Sequence, residues 1–284
     1  MGERKGIAMD MFDLDSLLIR SLREDIGSGD ITTESCVSAD AISSGHFIAK
    51  EPGVICGIDI AARVFALVDS KIEFKVNSSD GNYVTQGMKI AEISGPSRGI
   101  LTGERVALNL LQRLSGIATR TKMAACELQS SGAAITDTRK TTPGLRVLEK
   151  YAVRTGGGTN HRFGLSDGVL IKDNHIKAAG GITNAVRAAR ALAPHTIRIE
   201  VETETLLQVS ESLEAGADII MLDNMDTQTM EKAVKLIDGR ALTEASGNMD
   251  SKSLAEVAAT GVDFISMGAL THSVKSMDIS LRFI

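Results

Sequence analysis

The chain has 284 residues, enough for one large or two modest domains with a sizeable core. With 43% hydrophobic and 24% charged residues it has the balance of a globular protein, and a formal net charge of -5 argues against a general nucleic-acid binder. The three cysteines, Cys36, Cys56 and Cys126, are odd in number and lack CxxC spacing, which argues against a disulfide framework or a zinc site and for free thiols in a reducing compartment.

The first dozen residues carry no apolar run of the length a secretory leader needs, and no stretch of 18 apolar residues follows. The expectation is a cytoplasmic protein. Leu14, Leu17, Leu18, Leu22 and Ile26 then recur at helical spacing, with Asp13 or Asp15 as a cap and Gly27 as a stop. Residues 45–95 change rhythm. His46–Lys50, Lys71–Asn77, Tyr83–Thr85 and Lys89–Ile93 are expected to be short antiparallel strands, divided by turns at Asp80-Gly81, Gln86-Gly87 and Gly95-Pro96. Residues 102–131 return to helix, with Val106, Leu110, Leu114 and Ile117 on one face and Gly132 ending the run.

From residue 133 onward, short apolar strands alternate with helices. The expected strands are Ala133–Thr138, Gly168–Lys172, Thr196–Glu202, Asp218–Asp223, Ala241–Ser246 and Asp263–Gly268. The helices between them include Ile182–Ala193, Glu204–Ala215, Thr227–Ile237 and Ser251–Ala259. This alternation predicts a parallel sheet covered by helices, either open and doubly wound or closed toward a barrel. No GxGxxG follows the first strand, which removes the main support for a dinucleotide-binding sheet.

The strand ends carry the chemistry. Asp137-Thr138-Arg139-Lys140, Lys172-Asp173-Asn174-His175, Glu200-Val201-Glu202, Asp223-Asn224, Glu244-Ala245-Ser246-Gly247-Asn248 and Ser266-Met267-Gly268 close the strands in turn. In α/β barrels such ends converge on one mouth, where the active site lies. Between Arg139 and Lys177 stand eight cations: Arg139, Lys140, Arg146, Lys150, Arg154, Arg162, Lys172 and Lys177. Only Glu149, Asp167 and Asp173 oppose them. Such a cluster suits a polyanionic substrate. Arg146, Lys150 and Arg154 also sit at helical spacing, so a solvated basic face explains them in part. Glu202 and Asp223, at the ends of adjacent strands, read either as Mg2+ ligands shared with substrate phosphates or as counter-ions of the lysines. Ser246-Gly247-Asn248 and Ser266-Met267-Gly268-Ala269 are small-residue loops that let backbone N–H groups approach a phosphate. His161-Arg162 follows a glycine run within the basic stretch and is a site candidate, whereas His46 and His195 lack such context and read as structural.

Four further runs resemble one family. Gly95-Pro96-Ser97-Arg98-Gly99-Ile100-Leu101-Thr102-Gly103-Glu104-Arg105-Val106-Ala107-Leu108-Asn109, Asp137-Thr138-Arg139-Lys140-Thr141-Thr142-Pro143-Gly144, Gly157-Gly158-Thr159-Asn160-His161-Arg162 and Leu222-Asp223-Asn224-Met225 are similar to signatures of quinolinate phosphoribosyltransferases. The tail Ser266-Met267-Gly268-Ala269-Leu270-Thr271-His272-Ser273 fits too, and the resemblance runs from about residue 14 to the C-terminus. It implies an N-terminal open-faced α/β sandwich over about residues 1–115. A C-terminal incomplete, six-stranded α/β barrel of the type II phosphoribosyltransferases would cover 116–273, with the tail from about 274 returning to the first domain. The implied reaction joins quinolinate to phosphoribosyl pyrophosphate (PRPP) with loss of CO2, in NAD biosynthesis, and needs Mg2+.

The resemblance also assigns roles. Arg139, His161 and Arg162 would bind the quinolinate carboxylates, with Lys140 and Lys172 near both substrates. Glu202 and Asp223 would serve the ribose hydroxyls and Mg2+. Ser246, Gly247, Asn248 and Gly268 would hold phosphate, with Ser266 and His272 counted among the substrate-binding residues. The functional unit would be at least a homodimer in which the neighbour's N-terminal domain completes each mouth with Arg105. One departure stands out: Arg198 replaces another acid of an alternating acidic run, so a slip between Glu200 and Glu202 in the ribose role stays open. Rival readings are a same-fold relative with a drifted substrate, as found with molybdate transport, a non-catalytic sensor of anionic metabolites, and a sugar-phosphate aldolase or isomerase.

Overall fold

The computed structural model describes residues 11–129 and 131–284, and side chains from Leu14 onward. The reading of the first residues as leaderless, and the expected capping by Asp13, fall largely outside those described. Contacts divide the chain into two compact units. The first comprises the residues up to Arg120 with 142–156 and 274–284, and the second 121–141 with 157–273.

In the first unit, α1 (Met11–Ile26) stops at Gly27, whose φ of 56° is open to glycine at little cost. Asp15 lies inside this helix rather than capping it, and its carboxylate takes two hydrogen bonds from Arg63, at 2.8 and 2.6 Å. Next come α2 (Ile31–Cys36), capped by the Asp30 side chain, β1 (Ile42–Ala49), β2 (Gly53–Val54), α3 (Ile58–Val68), β3 (Glu73–Val76), β4 (Tyr83–Val84), β5 (Lys89–Pro96) and α4 (Ser97–Glu127). Helix α3 lies within the stretch read as strands. Its N-terminal amides at Gly57 and Ile58 are capped by Asp80, at 2.8 and 3.0 Å, and Asp80 also accepts a hydrogen bond from the Tyr151 hydroxyl at 2.8 Å. The turn residue Asp80 therefore also fixes a helix start. Tyr151 belongs to α5 (Arg146–Thr155), which counts with this unit.

An antiparallel sheet runs in the order β12, β1, β5, β3, where β12 is Ile279–Phe283. Phe47, Phe65 and Phe74 cluster beneath it, with ring centroids 5.3 to 5.9 Å apart. Helix α4 starts five residues earlier than its periodicity indicates. It buries Val106, Leu110, Leu114 and Ile117, each side chain contributing about 1.5–3 kcal/mol relative to exposure.

The second unit holds β6 (Ala134–Thr136), β7 (Val169–Ile171), β8 (Ile199–Thr203), β9 (Ile219–Asp223), β10 (Leu242–Ser246) and β11 (Phe264–Ser266). The intervening helices are α6 (Asp173–Ala179), α7 (Ile182–Leu192), α8 (Leu206–Glu214), α9 (Thr227–Ile237) and α10 (Leu254–Ala259), followed by the short α11 (Ala269–His272). All six strands pair in parallel, in the order β6, β11, β10, β9, β8, β7. The strands from β7 to β11 therefore follow chain order, and the first strand attaches beside the last. That is the winding of a barrel left open between β6 and β7, and it decides against a doubly wound sheet. Thr159 makes a parallel bridge with Thr136 on that open side.

Alternation along the strands sorts the side chains. Ile199, Val201, Ile220, Leu222 and Ala245 are fully buried, while Glu200, Glu202, Met221, Asp223, Glu244 and Ser246, one residue out of phase, point to the opposite face. Among the described residues, no helix is long and apolar enough to cross a membrane.

Candidate active site

That opposite face opens at the carboxyl ends of the strands into a cavity of about 680 Å3. Arg139, Lys140, His161, Arg162, Lys172, Glu202, Asp223, Ser246, Gly247, Asn248, Ser266, Gly268 and His272 all line it. Arg105, to which the resemblance also assigns a substrate-binding role, is absent from this lining; it stands exposed on α4, in the first unit.

The cation cluster is smaller than the sequence indicates. Arg139, Lys140, Arg162 and Lys172 line the cavity, whereas Arg146, Lys150, Arg154 and Lys177 do not. The first three of these lie on α5, and Lys177 pairs with Asp173 one helical turn away, at 3.2 Å. His195 is exposed and His46 sits 2.9 Å from the Lys89 ammonium, both away from the cavity.

Each cation is held by its own element. The register Ile171↔Val201 brings Lys172 beside Glu202, and its Nζ donates to Glu202 Oε2 at 2.7 Å. The His175 ring accepts from the Lys172 backbone N–H at 2.9 Å, which fixes the start of α6. The carbonyl of Lys140 accepts from the Thr271 hydroxyl at 2.8 Å, and its N–H donates to the Thr138 hydroxyl at 3.0 Å. Gly268 makes room for the Lys140 side chain: a Cβ there would lie 3.1 Å from both Lys140 Cδ and the His272 ring.

Arg162 is partly buried. Its Nη1 donates to the Gly168 carbonyl at 2.9 Å, while its Nε is buried with no hydrogen-bond partner. Burial, and then the neighbouring Arg139 guanidinium, pull Arg162 below the usual arginine range. A donor buried in this way, beside a second guanidinium, suits an incoming carboxylate. Fully buried Asp137 anchors the turn that carries it, accepting from the His161 N–H at 3.0 Å and the Asn160 amide at 2.6 Å.

On the opposite wall, Asp223 accepts from the Asn224 side chain at 2.7 Å, and Asn224 N–H donates to the Ser246 carbonyl at 3.0 Å. Gly247 has φ 94°, and a Cβ there would overlap Asn224, reaching its backbone N at 2.8 Å. Only glycine permits this approach of the loops after β9 and β10. Asn224 and Asn248 take left-handed backbone angles of 55° and 50°, which asparagine tolerates.

Glu200 and Glu202 separate clearly. Glu202 lines the cavity, while Glu200 is buried at 3.1 Å from His161 Nε2. Arg198 is away from the mouth altogether. It precedes β8 at the amino ends of the strands, where it lines a different cavity with Asp218, Gly239 and Arg240. Residues to which the sequence reading gave no individual role also line the mouth: Asp250, Asn224 and, most notably, Glu244, buried at 4% exposure. Its place near the polar end of the strand Leu-Thr-Glu-Ala-Ser was the signal for it.

The sequence model described as quinolinate phosphoribosyl transferase, C-terminal domain, matches residues 117–282, and its N-terminal counterpart matches residues 30–115. A Bacillus subtilis (strain 168) protein named probable nicotinate-nucleotide pyrophosphorylase, carboxylating, is 48% identical over 273 residues, covering 96% of this chain and 94% of that protein. A chloroplastic protein of rice, Oryza sativa subsp. japonica, with the name nicotinate-nucleotide pyrophosphorylase, carboxylating, is 46% identical, covering 95% of this chain and 78% of that one. The crystal structure of NadC from Streptococcus pyogenes superposes with a TM-score of 0.93 at 44% identity, covering 97% of this chain and 99% of that chain.

Proposed function

From a chain that belongs to the quinolinate phosphoribosyltransferase family, we infer the reaction of its mouth: transfer of phosphoribosyl from PRPP to quinolinate, with release of pyrophosphate and CO2. The product is nicotinate mononucleotide, and the step belongs to NAD biosynthesis. The observation that carries this reading beyond family membership is the pair Arg162 and Arg139 at a cavity edge, with a buried guanidinium Nε that has no acceptor. Two neighbouring guanidinium groups match the two carboxylates of a dicarboxylate.

We propose the following division of work. Arg139 and Arg162 hold the two carboxylates of quinolinate and so fix the pyridine nitrogen toward the anomeric carbon. Lys140 and Lys172 lie against the phosphates and stabilise the charge that moves onto pyrophosphate as it leaves. Glu202 and Asp223 meet the ribose hydroxyls, on the face where positive charge develops. Ser246, Gly247, Asn248, Ser266, Gly268 and His272 surround the 5'-phosphate. Once its nitrogen is ribosylated, the ring is a pyridinium. It takes up the electron pair left when the carbon–carbon bond to the 2-carboxylate breaks. The departing CO2 carries no proton, so the ring carbon gains one from solvent. The protein's main contribution is to hold two mutually repelling anions in register.

Glu202 and Asp223 also offer the hard oxygen ligands that Mg2+ prefers, and each already has a polar partner, Lys172 and Asn224 respectively, at 2.7 Å. This suits an ion held largely through substrate phosphates, where it would neutralise pyrophosphate charge. Arg105 is proposed to complete the mouth of a neighbouring subunit in a homodimer. A cytoplasmic placement accords with the free cysteines Cys36, Cys56 and Cys126. The test is product analysis: purified chain with Mg2+, PRPP and quinolinate is expected to yield nicotinate mononucleotide. Its absence from folded protein would overturn the reading.

A further inference from the structure

His161, expected from the resemblance to bind a quinolinate carboxylate, meets two buried acids, Glu244 and Glu200, to which the reaction above assigns no role. Glu244 on β10 and Glu200 on β8 flank β9 on the same face of the sheet, each only 4% exposed. His161 reaches in between them. Its Nε2 lies 3.1 Å from Glu200 Oε2 and 3.7 Å from Glu244 Oε1. Its Nδ1 accepts a hydrogen bond from the Arg162 backbone N–H at 2.7 Å. The imidazole thus connects the two buried carboxyl groups to the main chain that carries Arg162.

We propose that Glu244 is a positioning residue for the dicarboxylate substrate: with Glu200 it forms a buried carboxyl seat that sets the His161 ring, and through that ring the Arg162 backbone. This rests on the reading of the substrate as quinolinate. Two ionised carboxylates at this depth would repel each other with little water to screen them. The groups facing Glu244 are Glu200, His161, the Ser266 hydroxyl and Asp137. Burial, and then the charge of Glu200, push the Glu244 carboxyl up to about 7, so it keeps a proton over a pH range in which an ordinary glutamate is ionised. A neutral acid can donate a hydrogen bond where an anion cannot, and glutamine is its near match in shape and charge. Glu244 Oε1 and Glu200 Oε1 are both buried without a hydrogen-bond partner, so Glu244 acts on the His161 ring through packing and charge at 3.7 Å rather than through a hydrogen bond of its own.

The experiment compares the full-length wild type with Glu244→Gln and Glu244→Ala in steady-state kinetics for both substrates, with quinolinate titration calorimetry and thermal melting alongside. Glu244→Ala is expected to raise KM and Kd for quinolinate by about tenfold or more, the scale of misplacing a binding group, while KM for PRPP stays within about threefold and Glu244→Gln restores near wild-type values. Should Glu244→Ala fail to fold, Glu244→Met, of similar volume and without hydrogen-bonding capacity, takes its place. Unchanged quinolinate binding, or an equal rise in KM for both substrates, would overturn the proposal. So would Zn2+ or Mn2+ binding to wild type that Glu244→Gln abolishes, since the three side chains would then be a metal site. Failure of the wild type to turn over quinolinate would instead overturn the substrate reading on which this one rests.

Discussion

Lys172 and Glu202 form a 2.7 Å ion pair across neighbouring parallel strands, with the lysine side chain 48% exposed and the glutamate 16% exposed. An exposed pair of this kind contributes about 0–1 kcal/mol to folding, so removing it is expected to cost little stability. Lys172→Ala is expected to lower kcat by roughly a hundredfold or more, the scale of removing one preorganised charge donor from a transition state. Its Tm is expected to stay within about 2–4 °C of the wild type. Steady-state kinetics and scanning calorimetry on the same preparation check both. Lys140→Ala is expected to behave alike, and near-full activity in both variants would remove the proposed roles.

Gly247 tests the phosphate wall. Alanine there combines a φ of 94° with overlap against Asn224, which strains the loop by about 1–3 kcal/mol or forces it off its neighbour. Gly247→Ala is expected to raise KM for PRPP while leaving quinolinate binding, measured by calorimetry, nearly unchanged. A rise confined to quinolinate would place the phosphate elsewhere.

Glu244 gives the pH dependence of stability a definite sign. Its folded pKa, about 7, lies above the usual glutamate value of 4.5, so the native state keeps a proton that the unfolded chain has released. This contribution to stability is fully present below about pH 4.5, falls as pH rises toward 7, and levels off above it. Glu244→Gln is expected to flatten that part of the profile and to be relatively more stable at pH 8 than at pH 5. Urea melts across this range report it; parallel wild-type and variant profiles would contradict it.

A shared mouth predicts complementation. Arg105→Ala and Arg139→Ala are each expected to be weakly active alone, and mixing them after subunit exchange is expected to regain activity in hybrids that hold one intact mouth. No regain, with exchange verified by mass spectrometry, would count against a contribution of Arg105 across subunits.

The barrel-type sheet was readable because each strand is short, apolar and closed by a polar residue, and the helices between strands keep their own period. Helix α3 was not. Its sequence, Ile58 to Val68, is apolar around most of its circumference, and its cap, Asp80, comes from far downstream, so neither periodicity nor an adjacent capping residue announces it. The convergence of Arg139, Lys172, Glu202 and Asp223 on one cavity was legible for a simple reason: residues following parallel strands share one end of the sheet. Two features were not legible. The basic stretch divides between the mouth and α5, because only folding decides which face of a helix meets the site. The seat beneath His161 joins β8, β10 and the loop after Thr159, and no local pattern links residues so far apart in the chain.

Decarboxylating transfer to a dicarboxylate releases two products that can be counted separately. Its most direct test is simultaneous measurement of pyrophosphate and CO2 from purified protein given Mg2+ and PRPP, with quinolinate or nicotinate as acceptor. Both products are expected in equal amounts with quinolinate and neither with nicotinate. Pyrophosphate with nicotinate and none with quinolinate would contradict it.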